Sequence, residues 1–228
     1  MKKGLLVLFV LLVGLLVVGD RAAEQVAESA ISRQLEGELG TAPSVEVGGF
    51  PFLHQALRGR YDEITVEADR LRRDDVTVQD FRATLEGNRV SLSDVVGGSV
   101  DEVPVDRLQG TGLVTFAAIE EASGGQVQLE PAGDRVRVRG TVTAFGRTVE
   151  AAALAEPVVQ GPDLLLRASE VTVAGEPVTG VVGLTLVDAL SLGYPVPELP
   201  YGLQLREVDV TDTGVVVTGG ASDVLLRR

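Results

Sequence analysis

The side chains that could carry out catalysis are few in this sequence. It contains one histidine, His54, and no cysteine. A serine or cysteine nucleophile needs a base beside it, normally histidine, and the sequence has no Gly-x-Ser-x-Gly elbow, phosphate-binding loop or dinucleotide-binding glycine pattern. One histidine also falls short of the ligand spacing of a zinc site. The sequence therefore predicts no catalytic residue, no metal and no cofactor, and His54 is interpreted as an ordinary polar residue.

Paired carboxylates are the other candidates for acid–base chemistry. Adjacent acids occur at Asp62-Glu63, Asp74-Asp75, Asp101-Glu102 and Glu120-Glu121. Neighbours on a strand point to opposite faces, and the chain has few aromatic side chains that could hold a sugar. Solvated turns explain these pairs better than a glycosidase site does. We expect a protein that is not an enzyme, since a carboxylate hydrolase would need two acids facing each other in a cleft.

Composition narrows the classes of partner. The 228 residues include 33 acidic and 20 basic side chains, which give a net charge of −13. This charge opposes binding to nucleic acid, and the absence of tryptophan removes the usual stacking platforms for single strands. We therefore expect no nucleic-acid partner. The sequence also lacks cysteine, so the core must hold by apolar packing alone.

The N-terminal segment has the layout of an export signal. Two lysines precede an unbroken apolar run from Gly4 to Gly19. As a helix, Leu5 to Gly19 would span about 22 Å, short of a roughly 30 Å hydrocarbon core, which favours cleavage. The charge of Asp20, in contrast, makes a poor cleavage site. The sequence predicts a signal peptide or membrane anchor at 1–19 and one exported domain at 20–228, on or near the outer face of the cytoplasmic membrane.

Hydrophobic periodicity predicts two amphipathic helices and many strands. Apolar residues recur every three or four positions from Asp20 to Leu39 and again from Pro177 to Gly193. Elsewhere they alternate, most strictly where Arg135, Arg137 and Arg139 oppose an apolar face. The region from Val95 to Pro104 is predicted as a connection. Strands are predicted at 45–47, 62–71, 76–85, 90–92, 126–130, 135–144, 149–157, 164–173, 203–210 and 215–218, and a short helix at 115–122.

The most distinctive stretch is an apolar turn between two strands, residues 50–59, here termed the wedge. Pro51 is suited to begin a helix and Gly59 to end it. Phe50, Leu53 and Leu57 then share one helical face. Connections usually run over the surface, so this apolar face needs a cover. The sequence leaves three possible covers for this face: the domain itself, lipid, or the tail of a ligand.

The wedge carries a family resemblance. Gly49-Phe-Pro-Phe-Leu-His-Gln-Ala-Leu-Arg-Gly59, followed by Ile64-Thr-Val-Glu-Ala68, resembles the LmeA-like family of exported phospholipid-binding proteins of actinobacterial cell envelopes. Leu199-Pro-Tyr-Gly-Leu-Gln-Leu205 with Val208-Asp-Val-Thr-Asp-Thr-Gly214 is similar to that family's last strand pair. The resemblance implies an α+β fold in which a strongly curved, barrel-like antiparallel sheet of the tubular lipid-binding type wraps on two long helices. It also implies an apolar phospholipid cavity and a role in supporting lipomannan-type glycolipid elongation.

The predicted lipid site combines the wedge with both helices. Burying an acyl chain of about sixteen carbons is worth on the order of 10 kcal/mol, so an apolar groove suffices without a polar motif. The alternative is an envelope scaffold whose wedge binds a protein partner. The predicted lipid-binding residues are Phe50, Phe52, Leu53 and Leu57 at the mouth, Val26, Ile31 and Leu35 on the first helix, and Val182, Leu186 and Leu190 on the second.

Overall fold

The structure, a computed structural model, describes residues 2–73, 76–97, 100, 102–144, 147–160, 163–194 and 202–227. Asp74-Asp75 and Asp101, from two of the acid pairs, lie outside the described residues. The elements are α1 (Lys2–Leu39), β1 (Ser44–Gly48), α2 (Phe52–Arg58), β2 (Arg60–Arg73), β3 (Val76–Arg89), α3 (Leu92–Gly97), β4 (Glu102–Thr115), α4 (Phe116–Ala122), β5 (Val127–Ala132), β6 (Arg135–Ala144), β7 (Arg147–Gln160), β8 (Asp163–Val173), β9 (Glu176–Pro177), α5 (Gly180–Leu190), β10 (Leu192–Tyr194), β11 (Gln204–Val210) and β12 (Gly214–Arg227).

The strands form two sheets. One has the order β1-β2-β3-β4-β12-β11, and the other has the order β10-β8-β7-β6-β5 with β9 paired to β8. Pairing is antiparallel at β1–β2, β11–β12 and throughout β5–β8. The predicted α+β class with antiparallel sheets is confirmed. A barrel-like sheet is not confirmed, because within the described ranges neither sheet closes on itself.

The chain divides into two compact units. Unit 1 comprises Met1–Ala68, Arg82–Leu108 and Ser222–Arg228, and unit 2 comprises Asp69–Phe81 and Gln109–Ala221. The single exported domain at 20–228 stays a prediction.

In unit 1, α1 packs against β1 and β2. Val45 and Val47 alternate inward along β1, as the two-residue period of a strand requires, and the small Ala27 on α1 is buried among them. Glu28 on α1 accepts a hydrogen bond from the backbone N–H of Val47 at 3.0 Å. The buried core of this unit is Ala27, Val45, Val47, Phe52, Tyr61, Ile64 and Val66.

The helix α1 is longer than predicted. The apolar run and the amphipathic segment form one continuous helix from Lys2 to Leu39, without an interruption at Gly19 or Asp20. A lone glycine inside a helix costs only about 1 kcal/mol, which the flanking helix formers offset. The segments that the sequence treats as signal and domain therefore share one helix.

In unit 2, the strands β5–β8 carry helices on their dry side. Val136 and Val138 on β6 are fully buried, which confirms the alternation that leaves the arginines of this strand on the other face. Ala151 and Ala153 on β7 form a small-residue surface, and α5 packs on it. The two clusters of this unit are Ala151, Ala153, Ala168, Val171, Leu186 and Leu190, and Phe116, Leu129, Val136, Val138, Ala155 and Leu166.

The second predicted helix is shorter than expected, so two long helices are not confirmed. The helix α5 has 11 residues and begins at Gly180 rather than Pro177. Pro177 instead pairs with Thr172 across β9 and β8, and the N–H of Val178 donates to the carbonyl of Val171 at 2.9 Å. These strand contacts take up the residues that the periodicity assigned to the first helical turn.

The long strand β4 and the short strands β9 and β10 were not predicted from the sequence. Glu102 to Thr115 forms β4, of 14 residues, where a connection was predicted around Pro104, and α3 replaces the predicted strand at 90–92. Proline and glycine inside β4 weaken its strand pattern. Gly112 is required by packing, because a Cβ there would collide with Val78.

Leu186 and Leu184 test the packing of α5. Leu186 is 1% exposed and Leu184 is 70% exposed on the same helix. Leu186→Ala should lower the free energy of unfolding by about 2–5 kcal/mol because it leaves a cavity. Leu184→Ala should change it by no more than about 0.5 kcal/mol. Urea unfolding followed by circular dichroism measures both, and equal effects would contradict this packing.

Candidate functional site

The wedge forms a short helix between two strands. The helix α2 runs from Phe52 to Arg58 and ends at Gly59, whose φ of 60° is the left-handed conformation expected for glycine at this position. Pro51 follows a cis peptide bond and is extended, with ψ of 139°. The prediction of a helix from Pro51 was therefore wrong by one residue, since Pro51 precedes the helix.

The first amides of α2 are held by a residue distant in sequence. Proline has no side-chain oxygen that could cap the helix, so the N–H groups of Phe52 and Leu53 need another acceptor. Asp20 on α1 supplies it: Oδ2 accepts from Phe52 at 2.9 Å and Oδ1 accepts from Leu53 at 2.7 Å. Asp20 is itself buried. From the sequence, Asp20 was interpreted only as a poor cleavage site. The signal for its role is that neither Phe50 nor Pro51 has a side chain that can cap the helix.

Gln55 fixes the wedge to both flanking strands. Its amide Nε2 donates to the carbonyl of Gly48 at 2.9 Å, and its Oε1 accepts from the backbone N–H of Asp62 at 2.8 Å. Gly49 has a φ of 94°, and a Cβ there would lie 2.6 Å from the Gln55 amide. The two glycines before the wedge therefore provide the turn and the space that this buried glutamine needs.

Phe52 faces inward under the wedge. It is fully buried, and its ring centroid lies 6.0 Å from that of Tyr61. The Tyr61 hydroxyl is buried here without a hydrogen-bond partner among the described residues. Burial raises the pKa of the Tyr61 hydroxyl above its ordinary value. In this structure Phe52 is therefore a core residue beneath the predicted mouth.

The other three residues predicted for the mouth of the lipid site face outward. Phe50 is 59% exposed, Leu53 38% and Leu57 89%, and we call these three side chains the outer wedge face. The guanidinium carbon of Arg21 lies 5.5 Å from the centroid of the Phe50 ring, within the range of a cation–π contact. Arg21 also pairs with the buried Glu24 at 2.7 Å. The predicted helical spacing holds for Leu53 and Leu57, which lie one turn apart on α2, whereas Phe50 precedes the helix. All three side chains are exposed.

The predicted helix residues fall into both units. On α1, Val26 is exposed, whereas Ile31 and Leu35 are partly buried against the unit 1 core. On α5, Val182 is exposed, whereas Leu186 and Leu190 are packed against the alanines of β7 and β8. The sequence left room on this alanine surface for either a helix or an acyl chain, and a helix lies there. The lipid-binding role of the ten predicted residues stays a prediction.

Two open clefts lie on unit 2. One, of about 410 Å³, is lined by parts of β6, β7 and β8, including Arg139, Ala152 and Thr172. The other, of about 610 Å³, lies beside Leu184 and Asp188 of α5. The arginine row of β6 is paired with acids, Arg135 with Glu170 and Arg139 with Glu130, each at 2.8 Å. These pairs support the interpretation of a solvated outer face.

The described side chains offer little for metal or proton chemistry. His54 is exposed on α2. Over the described ranges, no group of three or more His, Asp or Glu residues is placed to hold a metal ion.

Over the same ranges, no helix combines the length and the hydropathy needed to cross a membrane.

Comparison with known proteins gives one match. A family model described as LmeA-like phospholipid-binding matches residues 18–220, which include the wedge and most of both units. No curated protein and no solved structure matches the chain.

The Asp20 contact predicts a local change in amide exchange. Asp20→Ala should speed hydrogen exchange at Phe52 and Leu53 roughly tenfold, because a helix cap is worth about 1 kcal/mol or more. Glu28→Ala is the matched control, since it removes another acid of α1 that accepts a backbone N–H, that of Val47. Exchange measured by NMR should then rise at Val47 and not at Phe52. Unchanged exchange at Phe52 in Asp20→Ala would contradict the contact.

Tyr61 predicts a pH effect. Tyr61→Phe removes an unpartnered buried hydroxyl, so the free energy of unfolding should stay the same or rise by about 1 kcal/mol. Because burial raises the pKa of Tyr61, the folded state disfavours the phenolate, and the wild-type protein should lose stability as the pH rises above about 10. The variant should lose less. Urea unfolding at pH 8 and above, roughly to pH 11, measures both effects.

Proposed function

The chain belongs to the LmeA-like phospholipid-binding family, and we propose that it is a non-enzymatic phospholipid-binding protein that carries or senses lipid in the cell envelope. The family match over residues 18–220 is the observation that carries this proposal. The outer wedge face supports it, since large exposed apolar side chains grouped in one short segment mark contact sites for apolar partners.

The absence of catalysis is part of the proposal. The sequence has a single histidine and no cysteine, and phospholipid can be held by apolar contact without polar catalytic groups. In this account the protein changes the location or availability of a lipid and leaves its covalent bonds intact.

We place the proposed lipid contacts at the ten residues predicted from the sequence. Phe50, Leu53 and Leu57 are accessible to a lipid without any change in conformation, as are Val26 and Val182. Leu186 and Leu190 lie against the alanine surface, so a lipid there would have to displace α5. The accessible residues are therefore the first contacts in the proposal, and Leu186 and Leu190 would follow only if α5 moves. Phe52, which packs on Tyr61, would become accessible only if α2 moves.

The proposed location and role follow from the N-terminal segment and the resemblance. We propose export to the outer face of the cytoplasmic membrane, with residues 1–19 as signal or anchor, and a role in supporting the maturation of lipomannan-type envelope glycolipids. The second candidate function is an envelope scaffold. The exposure of Leu57 favours it equally, because a protein partner could cover the same apolar face.

Lipid extraction separates these functions. The full chain is expressed with its N-terminal segment, purified gently and analysed by native mass spectrometry, and bound phospholipid of defined stoichiometry is the expected result. Leu57→Glu should reduce the bound fraction several-fold. Leu184→Glu introduces the same change at an exposed leucine of α5 and should leave the fraction unchanged. Phe52→Asp is unsuitable, because a charge at this fully buried position would unfold the wedge.

A protein without lipid in every preparation would contradict the carrier function. A stoichiometric protein partner that is lost in Leu57→Glu would then support the scaffold.

A further inference from the structure

The outer wedge face and the apolar end of α1 are held side by side. Asp20 binds the amides of Phe52 and Leu53, and Arg21 lies over the ring of Phe50. Residues three and four positions apart share one side of a helix, so Leu16 and Val17 lie one turn before Asp20 on the side that faces α2. The exposed apolar side chains of this part of α1 are Val13, Leu15, Leu16, Val17 and Val18. One apolar surface therefore extends from α1 onto the wedge.

The charge of this surface differs from that of the whole chain. Residues 1–19 and 47–61 contain no Asp or Glu, although the chain has 33 acidic residues. On α1, Asp20 and Glu24 are buried and bonded to backbone amides or to Arg21. The exposed acids Glu46, Asp62 and Glu63 lie on the strands that flank the wedge. Arg58 is exposed beside Leu57 and has no ion pair within the described part of the chain. Such a surface suits a partner that offers both hydrocarbon and phosphate.

We propose that the outer wedge face and the apolar end of α1 dock together on the outer leaflet of a phospholipid bilayer. Phe50, Leu53 and Leu57 enter the acyl region, and Arg58 lies at the level of the phosphates. The inference rests on the proposed function and adds the place where the protein meets the membrane. A bilayer is favoured over a protein partner because the exposed apolar residues from Val13 to Val18 of α1 share the surface.

A single introduced tryptophan can report this contact. The natural chain has no tryptophan, so Phe50→Trp gives an isolated probe that retains an aromatic ring beside Arg21. The full chain is mixed with phosphatidylcholine vesicles, with and without phosphatidylglycerol. The emission of the probe at position 50 should shift to the blue and be quenched by brominated acyl chains, more strongly with phosphatidylglycerol and less strongly at high salt.

Two variants control this measurement. Leu184→Trp places the probe at an exposed leucine of α5 and should show neither shift nor quenching. Leu57→Glu in the Phe50→Trp background should lower the partition onto vesicles roughly tenfold, because a side chain that enters the acyl region becomes a charge. Circular dichroism checks that each variant is folded.

Three results would overturn the docking proposal. The first is a probe at position 50 that stays in water while the protein floats with vesicles, since α1 alone then accounts for binding. The second is an equal shift at position 184. The third is a shift without vesicles that grows with protein concentration, since a second copy then covers the wedge.

The docking proposal and the proposed function can fail separately. Native mass spectrometry without bound lipid, together with a quenched probe at position 50, would reject lipid carriage and keep docking. Bound lipid with a water-exposed probe at that position would do the reverse.

Discussion

The wedge depends on one carboxylate, because its helix begins without a cap of its own. Pro51 lacks both an N–H and a capping side chain, so α2 would expose its first amides if no acceptor reached them. Asp20 supplies that acceptor from the middle of α1. This contact fixes the position of the wedge relative to the helix that carries the apolar N-terminal run. Any joint function of the two segments depends on it.

In unit 2, a helix packs where the sequence suggested a hollow. On β7, alanines leave a shallow surface, and the leucines of α5 fill it closely enough to be almost fully buried. Protein interiors reach crystal-like density, so space beside small residues is normally occupied by a neighbouring element. Lipid binding at the outer wedge face avoids this competition, whereas binding beneath α5 would have to replace contacts that already exist.

Periodic segments could be predicted from the sequence, and residues with long-range partners could not. The alternation of β6 and the spacing of Leu53 and Leu57 on α2 report local geometry, which the chain encodes directly. The strand β4 was missed because Pro104 and its glycines obscure its pattern, and only pairing with other strands stabilises it. The role of Asp20 was missed for a similar reason, since its partners lie more than thirty residues away. The inward orientation of Phe52 likewise follows from its packing on Tyr61.

The rigidity of the wedge bears on how exposed leucines could bind lipid. Gln55 bonds to both flanking strands, Asp20 holds the start of the helix, and Phe52 fixes it from below. Association costs less free energy when the contacting groups are already ordered. A flexible loop with the same side chains would lose conformational entropy on contact and could cover its own apolar atoms in water. The buried polar contacts of the wedge therefore keep Leu57 and its neighbours ordered and exposed. Ordered apolar side chains of this kind would let a member of a phospholipid-binding family contact lipid without a conspicuous head-group motif.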